Sequence, residues 1–219
     1  NLKAMFKVGC FDGNAHAHPT PWIQRPLQAI ATDILGLPET EVRPSIFVPV
    51  HGNVSPMKPQ YVVIAPESTL QAKFWNRDGG WNDLIQWLSE QGIKTVNLSP
   101  KAETKGSINI KGLSIQSILP WLRHCKFFVG LSSGLSWLAW AMNKPVAMIS
   151  GFTSEKNEFK CVRIQNKNVC HSCYGSPEIS FDRGDWSWCP NHKGTKRHFE
   201  CTKEISVEDV KNAIRPLLA

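Results

Sequence analysis

Short β-rich runs alternate with amphipathic segments from residue 60 onward, and this alternation restricts the chain to a few folds. Four runs are predicted strands, namely 61–65, 95–98, 127–129 and 146–149. Three segments between or beside them carry apolar residues at helical spacing, namely 81–91, 114–124 and 134–142. Helices that connect successive strands return the chain in the same direction, so the strands form a parallel sheet with helices on its faces. The sequence therefore predicts an α/β fold with a Rossmann-like parallel sheet.

The two ends of the chain follow other patterns. Residues 26–35 read as a helix, and the proline-punctuated stretch from 38 to 59 reads as a linker. Near the other end, Ser206 with Asp209 three residues later predicts a capped final helix that runs to residue 218. The first residue is not Met, and residues 5–13 read as the middle of a domain. We therefore expect this chain to be a piece of a longer protein.

The composition is that of a folded protein from a reducing compartment. No run approaches the roughly 20 apolar residues that a membrane-spanning helix needs, so no membrane span is expected. The seven cysteines are an odd number, which favours reduced thiols over a disulfide framework. The net charge is +7, and its excess lies within residues 156–203. We interpret this excess as a solvated surface and not as a nucleic-acid-binding patch, and we expect a cytoplasmic protein.

Four cysteines near the C-terminal end have the spacing of a metal finger. They follow the pattern C-x2-C-x15-C-x11-C at Cys170, Cys173, Cys189 and Cys201. The C-x2-C turn places two thiolates on one side of an ion, and the two later cysteines complete a tetrahedron. Four protein ligands leave no open position, which indicates a structural site, and four thiolates suit zinc and a single iron equally well. Three nearby histidines are alternative ligands, namely His171, His192 and His198.

Two turns at predicted strand ends carry residues that suit a phosphate group. The turn after strand 61–65 supplies two hydroxyls and a lysine, at Ser68, Thr69 and Lys73. The turn after strand 127–129 leads into a helix through Ser132, Ser133 and Gly134. Helix N-termini bind anions, and open α/β sheets bind ligands at the carboxyl ends of their strands. The pair of turns predicts a phosphate-bearing ligand, with an unliganded helix cap and a surface lysine as the alternative interpretation.

The stretch from 112 to 151, which contains the serine turn, resembles the donor-binding half of bacterial heptosyltransferases. With residues 26–36, the turn from Ser68 to Trp75 and the four-cysteine finger, the chain resembles the autotransporter O-heptosyltransferases, which modify adhesin passenger domains. The resemblance covers nearly the whole chain. It implies a GT-B glycosyltransferase, of which this chain is the C-terminal, donor-binding part.

The resemblance also implies a division of the chain and a reaction. Residues 1–54 would be a remnant of the N-terminal domain plus the interdomain linker, 55–160 with 202–219 the Rossmann-like donor domain, and 161–201 the metal finger. Family members transfer heptose from ADP-heptose to serine hydroxyls of an autotransporter in the cytoplasm. Some assemble into rings as homo-oligomers, and their finger holds iron, with zinc as the alternative here.

Several donor ligands follow from the resemblance. Ser68, Thr69, Lys73 and the amides of Ser133 and Gly134 would bind the diphosphate, and Glu103 would contact the nucleoside. In the lipopolysaccharide heptosyltransferases an aspartate and a histidine stand where this chain has Ser132 and Trp137, so the sugar contacts of those two groups do not carry over.

The catalytic base is expected in the N-terminal domain, most of which this chain lacks. Asp12, His16 and His18 lie in the remnant, but a histidine in a loop is more often simply solvated, so the catalytic residue stays unassigned. We expect the chain alone to bind donor without transferring sugar. Two other functions stay open from the residues: a finger module that binds protein or nucleic acid without catalysis, and a glycosyltransferase that uses a UDP- or GDP-hexose.

Overall fold

The structure is a computed structural model that describes residues 25–38, 40–48, 54–58, 60–176, 178–179, 181–182 and 184–219. Within these ranges the strands are β1 (Tyr61–Ala65), β2 (Lys94–Asn97), β3 (Ile108–Asn109), β4 (Phe128–Leu131), β5 (Val146–Ile149) and β6 (Val162–Ile164). The α-helices are α1 (Leu27–Ile34), α2 (Gly80–Glu90), α3 (Ile115–His124), α4 (Gly134–Ala141), α5 (Glu200–Lys203) and α6 (Val207–Ile214). Short 3-10 helices cover Gln71–Lys73, Glu155–Asn157 and Arg215–Leu217. Asp12, His16, His18 and Cys10 lie outside the described residues.

The strands form one parallel sheet in the order β3-β2-β1-β4-β5-β6. This is the strand order of the Rossmann fold, so the predicted fold class is confirmed. The predicted bounds hold for β1 and β5. β2 begins and ends one residue earlier than predicted, and β4 begins one residue later and ends two residues later. β3 and β6, which are two and three residues long, carry no recognisable pattern in the sequence. They pair at the two outer edges of the sheet.

Helices cover both faces of the sheet, as the buried strands require. Every residue of β1 is buried, because a central parallel strand has a hydrophobic layer on each side. Val62 and Ile64 face one layer, to which α2 and α6 contribute, and Tyr61 and Val63 face the other, to which α3 and α4 contribute. The order of the strands therefore places β1 and β4 at the centre of the molecule.

The helix caps confirm the predicted helix starts. The Ser114 hydroxyl accepts a hydrogen bond from the Ser117 amide at 3.2 Å, immediately before α3. At α6, the Ser206 hydroxyl accepts from the Asp209 amide at 3.0 Å while the Asp209 carboxylate accepts from the Ser206 amide at 2.8 Å. The α-helix ends at Ile214, and the 3-10 turn that follows contains Pro216, which lacks an amide hydrogen. The final helix is therefore shorter than predicted.

The segment 40–48, part of the predicted linker, packs against the sheet domain. The Arg43 guanidinium lies 5.5 Å from the ring centre of Trp140 on α4 and bonds the Asn143 side chain. The Glu41 carboxylate accepts a hydrogen bond from the Lys160 amide at 3.3 Å. Across the described residues, no helix combines the length and the apolar character needed to span a bilayer.

Candidate functional site

The structure brings the two predicted phosphate turns together at the centre of one sheet edge. β1 and β4 are neighbours, and Ala65 pairs with Gly130 just before each strand gives way to its turn. The Ser68 hydroxyl donates a hydrogen bond to the Ser132 carbonyl oxygen at 3.0 Å, which joins the two turns directly. The strand order reverses between β1 and β4, since the chain runs outward through β2 and β3 before it returns to β4. Open α/β sheets bind their ligands at such a switch point.

The serine turn presents the free N-terminus of α4 at this edge. Ser133 is the N-cap, but its hydroxyl makes no capping bond, and its buried oxygen has no hydrogen-bond partner among the described residues. Gly134 begins the helix, is exposed and has open space where a side chain would stand. The first amides of a helix lack intrahelical acceptors, and the helix dipole adds positive potential there. The turn is therefore suited to an anion.

The Ser132 side chain is already engaged inside the protein. Its hydroxyl donates to the Glu158 carboxylate at 2.5 Å, and the same carboxylate forms an ion pair with Arg163 on β6. The Glu158 side chain is only 2% exposed and that of Arg163 12%. Each charge of such a buried pair needs the other, because removing one partner leaves a charge without compensation. Through its bond to Glu158, Ser132 is therefore anchored to a rigid ion pair beneath the serine turn. The main chain of Ser132, and not its hydroxyl, faces Ser68.

The remaining predicted donor residues lie on the β1 and β2 sides of the edge. Ser68 and Lys73 are half-buried, Thr69 is exposed, and Lys73 ends a single 3-10 turn. Glu103 lies in the loop after β2, where its carboxylate pairs with Lys111 at 2.5 Å, and that lysine holds the pKa of Glu103 below its ordinary value. The Glu67 carboxylate accepts hydrogen bonds from two amides of this loop, at 3.0 and 3.1 Å, so the loop is fixed beside the turn after β1.

The four predicted metal ligands converge in the finger. The Sγ atoms of Cys170 and Cys173 are 4.0 Å apart. Burial, together with the nearby sulfurs of Cys170, Cys201 and Cys189, raises the pKa of Cys173 to about 12. Burial and the Cys189 sulfur likewise raise the pKa of Cys201 to about 12. These four thiols are free of disulfides, and soft thiolates suit iron or zinc, so the residues fit a metal ion.

A second, overlapping donor group shares Cys170. The ligand atoms of Cys170, His192 and Glu200 all lie within 4.8 Å of one another, so this trio has the spacing of a metal-binding group, whereas no three of the four cysteine sulfurs lie that close together among the described residues. The Glu200 carboxylate already accepts two hydrogen bonds from the Arg197 guanidinium, both 2.7 Å, and one from the Cys170 amide at 3.2 Å. Glu200 therefore stabilises the finger through these hydrogen bonds, a role that the spacing of the cysteines did not predict.

Comparison with known proteins decides the family. The profile of glycosyltransferase family 9 (heptosyltransferase) matches residues 10–183, which is most of the chain. The chain belongs to glycosyltransferase family 9. The autotransporter heptosyltransferase Aah of Escherichia coli is 36% identical to it over an alignment of 227 residues, gaps included. The alignment covers 98% of this chain and 57% of Aah. This family 9 chain thus spans little more than half the length of the curated relatives it matches.

A solved family 9 relative has the same architecture. The crystal structure of the dodecameric, iron-containing heptosyltransferase TibC of enterotoxigenic E. coli, in complex with ADP-D-β-D-heptose, superposes with a TM-score of 0.86 at 35% identity. The match covers 96% of this chain and 58% of TibC. It confirms the predicted resemblance and the heptosyltransferase-like GT-B fold. A further relative, BimC of Burkholderia thailandensis, is described as an inactive autotransporter heptosyltransferase and is 35% identical over 98% of this chain and 53% of its own length.

The finger of this family 9 chain is docked on the carboxyl edge of the sheet. The Gly151 carbonyl, just after β5, accepts a hydrogen bond from the Ser172 amide at 2.7 Å, and the Phe152 carbonyl accepts from the Tyr174 amide at 3.1 Å. Phe152 also packs edge-on against Trp188, with ring centres 5.3 Å apart. The same cluster of buried side chains includes Ala72, from the turn that carries Lys73. The finger and the candidate donor site therefore share one sheet edge.

Gly151 marks the closest approach between the sheet and the finger, which gives a testable prediction. A Cβ atom at this position would lie 2.4 Å from the Cys201 carbonyl oxygen, and this backbone atom has little freedom to move. Gly151→Ala is expected to lower the free energy of unfolding by about 1–3 kcal/mol. It should also lower the metal content, measured by elemental analysis beside thermal unfolding.

Gly134→Ala is the matched control for this change, because nothing lies within 4 Å of its added Cβ. It should leave both stability and metal content near those of the wild type. Equal stability of the two variants would contradict the tight contact at Gly151.

Proposed function

We propose that this chain is the donor-binding part of a glycosyltransferase that transfers heptose from ADP-heptose to serine hydroxyls of an autotransporter adhesin in the cytoplasm. One observation carries the proposal: the two phosphate turns leave the sheet at the β1/β4 switch point, and Ser68 bonds Ser132 across it. The superposition on TibC with its bound ADP-heptose, over 96% of this chain, supports the same ligand. Family 9 membership disfavours a finger module without catalysis, which has no use for two anion-binding turns.

The proposed roles follow from the charges of the reaction. Cleavage of the bond between the sugar and the diphosphate leaves a second negative charge on the terminal phosphate of ADP, and this charge must be stabilised in the transition state. Lys73 and the amides at Ser133 and Gly134 would supply that stabilisation, with hydrogen bonds from Ser68 and Thr69. Ser132 would contribute by its main chain, because its hydroxyl bonds Glu158. Glu103 is proposed beside the nucleoside.

We assign the catalytic base to none of the described residues. The acceptor serine must lose a proton to attack the sugar, and the group that takes it is expected from the N-terminal part of the longer protein. This chain by itself is expected to bind donor and not to transfer sugar. The division into a donor domain of 55–160 with 202–219 and a finger of 161–201 is proposed with it, and β6 (Val162–Ile164) at the start of the finger segment also completes the sheet.

The finger is proposed to hold one structural iron ion on Cys170, Cys173, Cys189 and Cys201. TibC is described as iron-containing and dodecameric, and this supports both iron and a homo-oligomer for the present protein. When bound, the ion would cross-link the two halves of the finger, which contains few regular elements of its own. His192 and Glu200 would then support the site through Cys170 and not bind the ion.

Calorimetric titration of the full-length protein with ADP-heptose, and with UDP-glucose in parallel, tests the proposed donor. Saturable binding of ADP-heptose alone is expected, followed by transfer of heptose to a co-expressed autotransporter, detected as a mass increase on the acceptor. Equal or tighter binding of UDP-glucose would show that the donor is another sugar nucleotide. Because BimC is described as inactive, donor binding without any transfer would place this protein with the inactive relatives.

A further inference from the structure

The turn that carries Lys73 packs against the finger on one side, while Trp75, just after it, is buried in the core of the sheet domain. It consists of one 3-10 turn, Gln71–Lys73, which is too short to be stable alone. Ala72, at its centre, is 2% exposed and packs in a buried cluster with Phe152, Cys173, Trp188 and Phe199, which we call the finger cluster. Phe74, just after it, contacts the Trp186 ring of the finger edge-on at 6.2 Å. The finger thus forms one wall of the segment 70–76.

Asn76 fastens this segment by hydrogen bonds to α5, the helix that begins at the end of the finger. Its side-chain nitrogen lies 3.0 Å from the Gln71 carbonyl, 3.0 Å from the Phe74 carbonyl and 2.9 Å from the Thr202 hydroxyl. Its side-chain oxygen accepts from the Gln71 amide group at 2.5 Å. One side chain therefore spans both ends of the turn and ties them to Thr202.

The partner of Asn76 is the residue that directly follows the finger segment 161–201. Thr202 is fully buried in α5, where its hydroxyl donates to the Phe199 carbonyl at 3.2 Å. It directly follows Cys201, one of the four converging thiols. The hydrogen bond between Asn76 and Thr202 is thus a short connection from the finger to the backbone around Lys73. Neither residue type nor spacing marks it in the sequence, because the two residues are 126 positions apart.

We propose that Asn76 is a positioning residue for donor binding, which holds the Lys73 turn against the finger through Thr202. The proposal rests on the proposed function, in which Lys73 contacts the donor diphosphate. A turn that is fixed before the ligand arrives costs no ordering entropy on binding, whereas a loosened turn must be ordered at that moment. Loss of the Asn76 contact therefore weakens diphosphate binding even though Asn76 does not touch the ligand.

The test is a double-mutant cycle in the full-length protein, with ADP as the titrated ligand. Asn76→Ala and the nearly isosteric Thr202→Val are each expected to weaken ADP binding about tenfold, the loss that corresponds to one net hydrogen bond. The double variant should be no more than about twofold weaker than the weaker single variant, because both changes remove the same contact. Metal content should stay at the wild-type level in Thr202→Val, which separates positioning from loss of the finger.

Asn166→Ala is the matched control. Its side chain donates to the Glu204 carbonyl at 3.2 Å, at the end of the same finger helix, but this bond does not involve the segment 70–76. Its ADP affinity should equal that of the wild type.

Two results would overturn the proposal, and they are distinguishable. Wild-type ADP affinity in Thr202→Val, while Lys73→Ala loses binding, would refute the role of Asn76 and leave the proposed function intact. Absence of ADP binding by the wild-type protein, with no effect of Lys73→Ala, would refute the proposed function and this inference with it. If Asn76→Ala does not fold, Thr202→Val alone decides, because it removes the same bond with almost no change of shape.

Discussion

Cys173→Ser is expected to remove the metal from the protein and to unfold the finger. Cys173 is the most buried of the four finger cysteines and packs with Phe152, Trp188 and Phe199 in the finger cluster. A structural metal contributes roughly 10–16 kcal/mol to the folding of small metal fingers, and most of this is lost with one of four ligands. Elemental analysis should give less than a tenth of the wild-type metal, and limited proteolysis should cut within 161–201.

Cys161→Ser is the matched control for this prediction. Cys161 is also a partly buried free thiol, but it packs with the sheet layer formed by α3 and α4 and not with the finger cluster. The control should keep one metal per chain and the protease resistance of the wild type. Loss of metal in both variants would indicate general destabilisation and not a ligand role for Cys173.

The same measurement on His192→Ala and Glu200→Gln separates the two overlapping donor groups. If the four thiolates bind the ion, both variants keep their metal, since His192 and Glu200 only lie beside Cys170. If the group of Cys170, His192 and Glu200 binds it, both variants lose the metal and Cys173→Ser retains it. That outcome would refute the four-cysteine site.

The sequence predicted the helices and strands that form because of their own residues or of residues directly beside them. β1 and β5 are continuous buried runs, and their bounds follow from the apolar residues alone. α3 and α6 begin at serine caps that any reader of the sequence can recognise. β3 and β6 have only two and three residues and become strands because β2 and β5 offer them a partner. That cause is a tertiary contact, which periodicity cannot reveal.

The same distinction applies to the candidate site. Each phosphate turn was recognisable by itself, and the parallel sheet placed both at one edge, where Ser68 meets Ser132. The buried pair of Glu158 and Arg163 behind Ser132 was missed, because Glu158 lies 26 residues from the serine that it bonds and a single glutamate carries no pattern. Ser132 belongs to the predicted donor-binding turn, and its hydroxyl bonds Glu158 inside the protein. The roles of such residues can be recognised only in the structure, because they depend on contacts with residues that are distant in the sequence.

Lys73→Ala is expected to weaken ADP binding by the full-length protein about 10- to 100-fold, since a hydrogen bond to a charged group contributes about 1.5–3 kcal/mol. ADP should lose more affinity than ADP-heptose, because the terminal phosphate of ADP carries the charge that develops on the leaving group only during transfer. The rate of heptose transfer should therefore fall by more than the affinity for ADP-heptose does. Calorimetry with both ligands, together with single-turnover transfer rates, measures the three effects.

Lys101→Ala is the control lysine, because its exposed side chain lies in the neighbouring loop after β2, where only its backbone amide bonds Glu67. It should bind ADP and ADP-heptose like the wild type. Lys73→Arg tests the geometry, since a guanidinium keeps the charge but presents it as a planar fork. Partial recovery of ADP affinity with poor transfer would show that the position of the charge matters more than its sign. Equal losses for ADP and ADP-heptose in Lys73→Ala would instead mean that Lys73 binds donor and product uniformly, and the amides of α4 would then carry the stabilisation of the leaving group.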